Sequence, residues 1–468
     1  MSFYSYIDRN FLLPIADVAY GSSIHSRLKY FRNYDSLSRE EIVQRQNAKL
    51  QKLVRHCYAH VPYYTKLFDR LGLKPEDIRS GKDLARLPVL TKQIIRDNYD
   101  DLVCQAVDSS RLIKCSTGGS TGTPLHFCKD ALEWSGQKAA TLRAWEWYGL
   151  HLGDKLFSLG GNSIVKKKKR FSFKNVYDTV IMRNFKHSSA DVSDEGMRRH
   201  YDSLMRLKPD AIRGYGSSLY IFARFIERHQ LPVCPIKVIL TTGEVLVPEY
   251  RRKLESVFKA PVYDEYGAGD GGLLSHECTE RSGLHIEEEL CFVEITDKSG
   301  HVLPDGEIGY VTLTDLENYA FPFLRYQVGD MSYIKSGFCS CGKKTRLFGE
   351  VLGRAGRLVY NKQGVPISPT MLPIMMYPDL DYHKLENQIL YNKIDKFQIR
   401  QDKQGDIQIL LKMKDKVDET DQFDFIVDNY EKHFVGSRVT LTFVDEIPTL
   451  PSGKEDYCVS EFEYATII

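Results

Sequence analysis

A run rich in glycine, serine and threonine is the part of the sequence best suited to holding phosphate. Its residues are Ser116, Thr117, Gly118, Gly119, Ser120, Thr121 and Gly122. Glycine lets the backbone turn tightly, so successive N–H groups can point at phosphate oxygens, and a hydroxyl can reach a metal ion. The run lacks the Gly-Lys-Ser/Thr ending of a P-loop and the glycine spacing of a dinucleotide-binding turn. Taken alone, it is equally typical of an ordinary polar loop.

Soft metal ligands form a second candidate group. Cys278 and His285 precede Cys339 and Cys341 by about fifty residues. Three thiols and one imidazole suit tetrahedral Zn²⁺, and four protein ligands would make the site structural. His285 is preferred over His276 because its distance from Cys278 leaves room for a loop. The alternative is a set of buried residues without metal, since free cysteine is often buried.

The elements that must position these residues follow from hydrophobic periodicity. Ser38 and Glu41 have the spacing of a capping box and predict a helix over residues 38–60. A second helix is predicted over 131–148, with Leu132, Ala139, Leu142 and Trp145 on one side. Strand-like and helical runs then alternate, which favours a parallel sheet in an α/β fold. The predicted strands are 155–159, 211–214, 238–242 and 261–265, and the predicted helices are 218–229 and 247–258.

The pattern of predicted elements changes at two places further along the sequence. Short β-rich runs between residues 290 and 333 predict a smaller β-rich subdomain. The glycine-rich, basic segment 353–357 has the composition of a hinge. We therefore expect a large N-terminal domain over 1–352, with a parallel sheet in αβα layers, and a small mobile α+β C-terminal domain over 358–468.

Composition excludes several classes of protein. The 468 residues carry a net charge of +2, which does not favour a nucleic-acid partner. We find neither a run long and apolar enough to span a membrane nor a secretory signal at the start. The ten cysteines show no disulfide framework. These features predict a cytoplasmic enzyme or binding protein.

Five segments, taken in order, resemble motifs of the acyl-adenylate-forming superfamily, which includes acyl-CoA synthetases, adenylation domains and luciferases. They are residues 116–124, 263–270, 324–330, 353–354 and 448–454. The resemblance implies ATP and Mg²⁺ as cofactors. It also implies that Lys454 is catalytic, that Asp330 binds the ribose, that Tyr266 stacks on adenine, and that Asp270 and Thr121 bind Mg²⁺. The other implied nucleotide-binding residues are Ser116, Thr117, Gly118, Gly119, Ser120, Gly122, Gly243, Glu244, Gly267 and Arg354.

The chain departs from the family pattern at several positions. Gly118 stands where the family usually has Ser, and Leu125 stands where it usually has Lys. Asp270 replaces the usual Glu, and Gly356 with Arg357 occupies the region of the usual hinge pivot. We therefore expect the backbone N–H groups and the remaining hydroxyls of this run to provide most of the contacts to the pyrophosphate.

Within the superfamily, the chain resembles the phenylacetate–CoA ligase and capsular-polysaccharide-synthesis branch. The segments that carry this resemblance are residues 56–64, 87–92, 213–218 and 242–244. It implies activation of a carboxylic acid as acyl-AMP, followed by transfer to CoA. Two alternatives stay open: transfer to an amine or hydroxyl in polysaccharide biosynthesis, and a nucleotide-binding assembly protein without catalysis.

Overall fold

The computed structural model describes most of the chain. The described residues are 3–108, 112–116, 125–160, 177–188, 194–354, 359–363, 366–367, 371–378, 385–391, 393–415, 421–447 and 458–462. Thr117 to Gly122, Gly356, Arg357 and Lys454 lie outside them.

Helices occur along most of the described chain. They are α1 Phe3–Ile7, α2 Leu13–Tyr20, α3 Ile24–Tyr34, α4 Arg39–His60, α5 Pro62–Leu71, α6 Lys92–Asp97, α7 Tyr99–Leu102, α8 Ala131–Glu146, α9 Asp194–Leu207, α10 Gly216–Arg228, α11 Pro248–Phe258, α12 Met371–Ile374, α13 Leu385–Tyr391 and α14 Asp424–His433. Wider π-turns occur at Asp8–Leu12 and Tyr177–Ile181, and 3₁₀ turns at Pro75–Asp77, Gly81–Arg86 and Asp421–Phe423.

The strands of the described residues form five sheets. In chain order they are β1 Ile113–Ser116, β2 His126–Lys129, β3 Leu156–Gly160, β4 Asn184–Ser188, β5 Ala211–Gly214, β6 Val238–Thr242, β7 Val262–Ala268, β8 Leu273–Glu277, β9 Leu284–Ile286, β10 Cys291–Thr296, β11 Gly309–Asp315, β12 Tyr326–Ser332, β13 Ile334–Lys335, β14 Leu347–Phe348, β15 Gly353–Arg354, β16 Val359–Tyr360, β17 Pro366–Ile367, β18 Ile394–Gln401, β19 Ile407–Met413, β20 Val439–Phe443 and β21 Cys458–Ser460.

The largest sheet has nine strands in the order β13-β14-β9-β8-β7-β6-β5-β3-β4. Its strands β4, β3, β5, β6 and β7 are parallel, and the strands beyond β7 are antiparallel. Helices cover both faces: α8 packs on one through Ala139 and Trp145, and α10 and α11 pack on the other through Phe222 and Leu254. The predicted α/β layers are therefore confirmed, with β4 as an additional parallel strand.

The β-rich region forms a separate four-stranded antiparallel sheet in the order β10-β11-β12-β15. Near the C-terminus, β20, β19, β18 and β21 form another four-stranded sheet, and α14 packs against it through Ile426 and Tyr430. Of the predicted hinge at 353–357, Gly353 and Arg354 form β15, and residues 355–357 lie outside the described part of the chain.

The predicted start of α4 is confirmed by its capping contacts. The amide of Glu41 donates to Ser38 Oγ over 3.2 Å, and the amide of Ser38 donates to Glu41 Oε2 over 2.8 Å. This reciprocal pair is the predicted capping box. Of the four residues predicted on one side of α8, Ala139, Leu142 and Trp145 are buried, whereas Leu132 in the first turn is 43% exposed.

Three consecutive buried carboxylates attach the first helices to the sheets. Glu287 pairs with Arg143 of α8, while Glu288 and Glu289 pair with Arg39 and Lys49 of α4. Buried charges are tolerated when they are paired in this way. No helix among the described residues is long and apolar enough to cross a membrane.

Candidate active site

A cleft of about 780 Å³ lies near the carboxyl ends of the parallel strands. Ligands of open α/β sheets bind at this edge of the sheet. Among the residues that line the cleft are six of the predicted nucleotide-binding residues: Gly243, Glu244, Tyr266, Gly267, Asp330 and Arg354. The structure therefore brings together residues that are more than one hundred positions apart in the sequence.

The loop after β6 supplies one wall of this cleft. Gly243 has a φ of 77°, a backbone conformation that favours glycine and lets the chain turn sharply at the strand end. The next residue, Glu244, accepts a hydrogen bond of 3.0 Å at Oε2 from the amide of Ser217, in the first turn of α10. A carboxylate is favoured at a helix N-terminus because of the helix dipole. The Glu244 side chain therefore fixes the loop relative to α10.

Asp330 is held from two sides at the centre of the cleft. The Tyr266 hydroxyl donates to Asp330 Oδ2 over 2.9 Å, and Arg354 Nε lies 3.0 Å from Oδ1. Arg354 also donates to the carbonyl of Val328 over 3.0 Å, and its strand β15 pairs directly with Asp330 in β12. A carboxylate oxygen has more than one lone pair, so both oxygens can still accept a bond from a vicinal diol.

The surroundings of Asp330 keep the Tyr266 hydroxyl protonated and the Arg354 guanidinium charged. Burial, followed by the nearby Asp330 carboxylate, raises the pKa of Tyr266 well above its usual value, so its hydroxyl remains a donor. Burial alone would lower the pKa of Arg354, but Asp330 and Asp270 raise it overall. The Tyr266 ring also packs edge-on against Phe348 at 5.7 Å, which fixes the ring plane as well as the hydroxyl.

Asp270 lies in the turn between β7 and β8 and is nearly buried. Tyr326 donates to its Oδ2 over 2.7 Å, and Lys92 Nζ is 3.9 Å from the same oxygen. Its other oxygen, Oδ1, has no such partner among the described residues. The contacts thus leave one hard oxygen for a cation such as Mg²⁺. Asp270 adjoins the cleft but is not among its lining residues.

Lys92 is a site residue to which the sequence analysis gave no role. It lies in the segment 87–92, quoted above only as part of the resemblance to the branch. Backbone bonds of 2.8 and 3.0 Å tie Leu90 to Arg325 and Gln327, so this segment pairs with the start of β12. Burial, with help from Arg354, lowers the pKa of Lys92, while Asp270 and Asp330 counteract that shift. The sequence carries no local signal that places Lys92 near the carboxylates of Asp270 and Asp330.

Asp264 is a further cleft residue that sequence reasoning missed. Thr241 donates a hydrogen bond to its Oδ1 over 2.8 Å. Burial raises the pKa of Asp264 to about 7, although the Thr241 hydrogen bond works in the opposite direction. The nearby Glu277 carboxylate adds to the rise, and Arg251 opposes it.

Arg325 belongs to the segment 324–330 that resembles a family motif, but it does not line the cleft. It is 2% exposed, and its guanidinium donates to the carbonyls of Leu87 and Gly300, over 2.6 Å each, and to Glu294 over 3.1 Å. Its φ of 54° is unusual for a residue that is not glycine. Arg325 therefore fastens the strand that carries Asp330 to the segment that carries Lys92.

The predicted soft ligands converge at one place. The ligand atoms of Cys278, His285, Cys339 and Cys341 all lie within 4.8 Å of one another. Two of the separations are 3.5 Å between Cys278 Sγ and Cys339 Sγ, and 3.3 Å between Cys341 Sγ and His285 Nε2. The other imidazole nitrogen, Nδ1, lies 2.8 Å from Thr345 Oγ1. A hydrogen bond from the second nitrogen commonly orients a histidine toward a metal. His276 instead lies 3.2 Å from Glu287.

Part of the predicted site lies outside the described residues. The phosphate-loop residues Thr117, Gly118, Gly119, Ser120, Thr121 and Gly122, and also Lys454, lie outside the described residues. Ser116 is exposed at the end of β1 and is not among the residues that line the cleft. In the sequence, the phosphate-loop residues lie between β1 and its antiparallel partner β2, and α8 follows β2.

Comparison with known proteins identifies the class of this fold. One solved structure, 2-hydroxyisobutyryl-CoA ligase in the postadenylation state in complex with R3-HIB-AMP, superposes with a TM-score of 0.74. The match has 17% sequence identity and covers 92% of this chain and 91% of that chain. The fold is therefore that of the acyl-adenylate-forming CoA ligases.

Sequence comparison finds two groups of relatives for this chain. Protein CapK of Staphylococcus aureus is 23% identical over 461 residues, which are 95% of this chain and 96% of that protein. The phenylacetate–coenzyme A ligase of Thermus thermophilus is 26% identical over 75% of this chain and 78% of its own length. Residues 383–461 match the family model of the CapK C-terminal domain. The chain is homologous to CapK and to the phenylacetate–coenzyme A ligases.

Proposed function

We propose that this protein is an ATP-dependent enzyme that activates a carboxylic acid as acyl-AMP and then transfers the acyl group to CoA. The observation that carries the proposal is the position of Asp330, held between Tyr266 and Arg354 in a cleft at the carboxyl edge of the sheet. Homology to the phenylacetate–coenzyme A ligases supports the type of reaction. Release of pyrophosphate from ATP in the presence of pooled carboxylic acids tests it.

In the proposed first step, a carboxylate oxygen attacks the α-phosphorus of ATP. The bond from that phosphorus to the bridging oxygen breaks, and pyrophosphate leaves with the electron pair. Tyr266 presents its ring to the adenine, and Asp330 accepts hydrogen bonds from the ribose hydroxyls. Arg354 keeps the Asp330 carboxylate oriented. Fixing the nucleotide in this way removes orientational freedom before the chemical step, which lowers the barrier.

In the proposed second step, the CoA sulfur, as thiolate, attacks the acyl carbonyl carbon. The mixed anhydride bond breaks, and AMP leaves with the former carboxylate oxygen. When Mg²⁺ is bound, it supplies positive charge to the phosphates, and Asp270 and Thr121 are the residues proposed to hold it. Lys92 places a further cation beside Asp270.

We assign Lys454 to the developing charge at the α-phosphate and the carboxylate. Cys458 lines the same cleft as Tyr266 and Asp330, and Lys454 precedes it by four residues. The first described residue after Lys454 in the sequence therefore lies in the cleft, which supports this assignment. A cation that meets charge as it forms stabilises the transition state more than the bound substrate.

We also propose that Cys278, His285, Cys339 and Cys341 bind one structural Zn²⁺. Three sulfurs and one imidazole nitrogen within 4.8 Å have the composition and spread of a closed tetrahedral site. The ligands come from the end of β8, from β9, and from the loop between β13 and β14. Zinc would therefore tie together the antiparallel half of the large sheet.

A second acceptor remains a candidate because the two groups of relatives match different lengths of the chain. Similarity to CapK covers 95% of the chain, whereas similarity to phenylacetate–coenzyme A ligases covers 72–75%. The C-terminal residues also match the CapK model. An amine or a sugar hydroxyl could thus replace the CoA thiol. Supplying acyl-AMP with CoA, or with an amino sugar, and analysing the products separates the two.

The remaining alternative is a nucleotide-binding assembly protein without catalysis. It predicts ATP binding without pyrophosphate release for every carboxylic acid. We favour the enzyme because the sequence retains both Lys454 and Asp330, and Asp330 contacts Tyr266 and Arg354 in the cleft. The proposal places the enzyme in the cytoplasm, with small-molecule substrates and no nucleic-acid partner.

A further inference from the structure

The first helices expose apolar side chains and bury acidic ones, which is the reverse of the usual arrangement. Phe11, Ile15 and Val18 are 56%, 66% and 86% exposed. Asp8 and Asp17, on the same continuous helical segment, are 0% and 8% exposed. Aspartate is seldom fully buried, and a surface helix normally turns its apolar side to the core. The arrangement therefore indicates that another apolar phase covers the exposed side of this segment.

Phe11, Ile15 and Val18 form one stripe, which we call the outer face. They are spaced by four and three residues, so successive members lie one helical turn apart on the same side. A further exposed apolar residue, Val180, lies beside the same helices, because the Tyr4 hydroxyl of α1 donates to its carbonyl over 2.7 Å. The outer face is therefore a continuous apolar surface and not a single exposed side chain.

The opposite side of α2 is fixed in place, so rotation of the helix cannot bury the outer face. Leu13 and Ala16 are buried in the hydrophobic core. The Asp17 carboxylate accepts hydrogen bonds of 3.0 and 2.7 Å from the amides of Ile24 and His25, at the start of α3. These amides have no acceptor within their own helix, so Asp17 satisfies them. Turning α2 would break this cap and expose the core residues.

The charged groups around these helices are basic or paired. Both acidic side chains of residues 3–34 are buried, whereas Arg9, two positions before the outer face begins, is half-buried. The Arg183 guanidinium lies 4.2 Å from the centre of an aromatic ring of α1. Asp178, in the turn that precedes Arg183, forms an ion pair of 3.0 Å with Lys186. The surroundings of the outer face therefore complement negative charge.

We propose that the outer face lies on the surface of an anionic phospholipid bilayer, with α2 parallel to the membrane plane. An apolar stripe next to basic side chains is typical of helices that bind in the interfacial region. A second copy of the chain is a poorer occupant, because a stable dimer buries about 800 Å² and roughly 20 residues on each partner. Contact between two outer faces would also bring basic groups together. The proposal concerns where the protein acts and does not rest on the proposed reaction.

Co-sedimentation of the full-length chain with phospholipid vesicles tests the proposal. Wild-type protein should bind vesicles of phosphatidylcholine with phosphatidylglycerol, and bind less to phosphatidylcholine alone, because the anionic lipid attracts the basic groups. Ile15→Asp combined with Val18→Asp should lower the bound fraction at least roughly fivefold, since it places charge in the apolar region of the bilayer. Leu71→Asp combined with Val302→Asp makes the same change at two exposed positions elsewhere and should bind as wild type does.

Thermal unfolding and light scattering complete the test. Both double variants should unfold at the wild-type temperature, because the replaced side chains are exposed; if the Ile15 and Val18 variant does not fold, Val18→Ser decides by the same criteria. A wild-type dimer that is lost in this variant would assign the outer face to a second copy and overturn the proposal. Failure of wild-type protein to bind either kind of vesicle, or equal binding by the two double variants, would also overturn it. Vesicle binding is measured without substrates, so its outcome is independent of acyl-AMP formation.

Discussion

The hydroxyl oxygen of Tyr266 lies 2.9 Å from Oδ2 of Asp330 and donates a hydrogen bond to it. This bond joins β7 of the nine-stranded sheet to β12 of the four-stranded sheet. Two residues that the sequence assigns to different parts of one nucleotide therefore support each other directly. The adenine and ribose contacts should consequently be coupled.

Tyr266→Phe tests this coupling because it keeps the ring and removes only the hydroxyl. Loss of a hydrogen bond to a carboxylate should weaken ATP binding by on the order of tenfold, about 1.4 kcal/mol. Isothermal titration calorimetry with ATP measures the change. Tyr333→Phe is the control, since it removes a cleft hydroxyl that is not bonded to Asp330 in the described structure. Equal affinities for wild type and Tyr266→Phe would show that the hydroxyl does not position Asp330.

Asp330→Ala should weaken ATP binding because it removes the proposed acceptor of the ribose hydroxyls. The informative comparison is with 2′,3′-dideoxy-ATP. Wild-type protein should bind ATP more tightly than the dideoxy analogue, and Asp330→Ala should bind both with similar affinity. If the variant discriminated as strongly as wild type, the ribose contact would lie elsewhere.

Asp264 predicts a pH dependence of stability with a definite sign. Its pKa is about 7 in the folded chain and near 4 when unfolded, so the folded state holds an extra proton between these values. Stability from this group is therefore lost as the pH rises from about 4 to 7. Asp264→Asn should unfold at a higher temperature than wild type at pH 8, by roughly 2–4 °C. The difference should shrink by pH 5.

Thermal unfolding at the two pH values measures this effect. Asp305→Asn removes an exposed carboxylate and serves as the control. A difference between Asp264→Asn and wild type that is the same at both pH values would show that Asp264 is ionised throughout.

Elemental analysis of protein purified without added metal should show about one zinc per chain. Replacing Cys339 and Cys341 together by serine should remove the metal and lower the melting temperature, because metal binding contributes to folding. Cys234→Ser changes a buried cysteine outside the group and should retain the zinc. Metal-free wild-type protein with the stability of the zinc-loaded form would disprove the site.

Much of the fold was predictable because local signals agree with the tertiary structure. The predicted strands 211–214 and 238–242 coincide with β5 and β6, and Ser38 caps α4 as its spacing indicates. Strand β4 was missed because Asn184, Lys186 and His187 give it little apolar character. Helical periodicity alone also does not show that Leu132, in the first turn of α8, is exposed while Ala139 and Leu142 on the same side are buried.

The sequence names individual candidate residues, but it does not give their geometry. Sequence motifs give Asp330, Tyr266 and Arg354, yet nothing local shows that both others bind the Asp330 carboxylate. Lys92 was missed because its approach to Asp270 depends on pairing between Leu90 and the start of β12. Such contacts arise from long-range packing, which periodicity and spacing do not encode.

The central claim is tested most directly by carboxylate-dependent exchange of labelled pyrophosphate into ATP, measured across a library of carboxylic acids. We predict that at least one acid supports exchange. With that acid, Lys454→Ala should retain ATP binding and lose exchange by on the order of a hundredfold, as expected for a contact made in the transition state. Lys403→Ala, an equal change of charge at an exposed C-terminal turn, should remain active. Failure of every acid to support exchange by protein that binds ATP, or wild-type exchange by Lys454→Ala, would contradict the account.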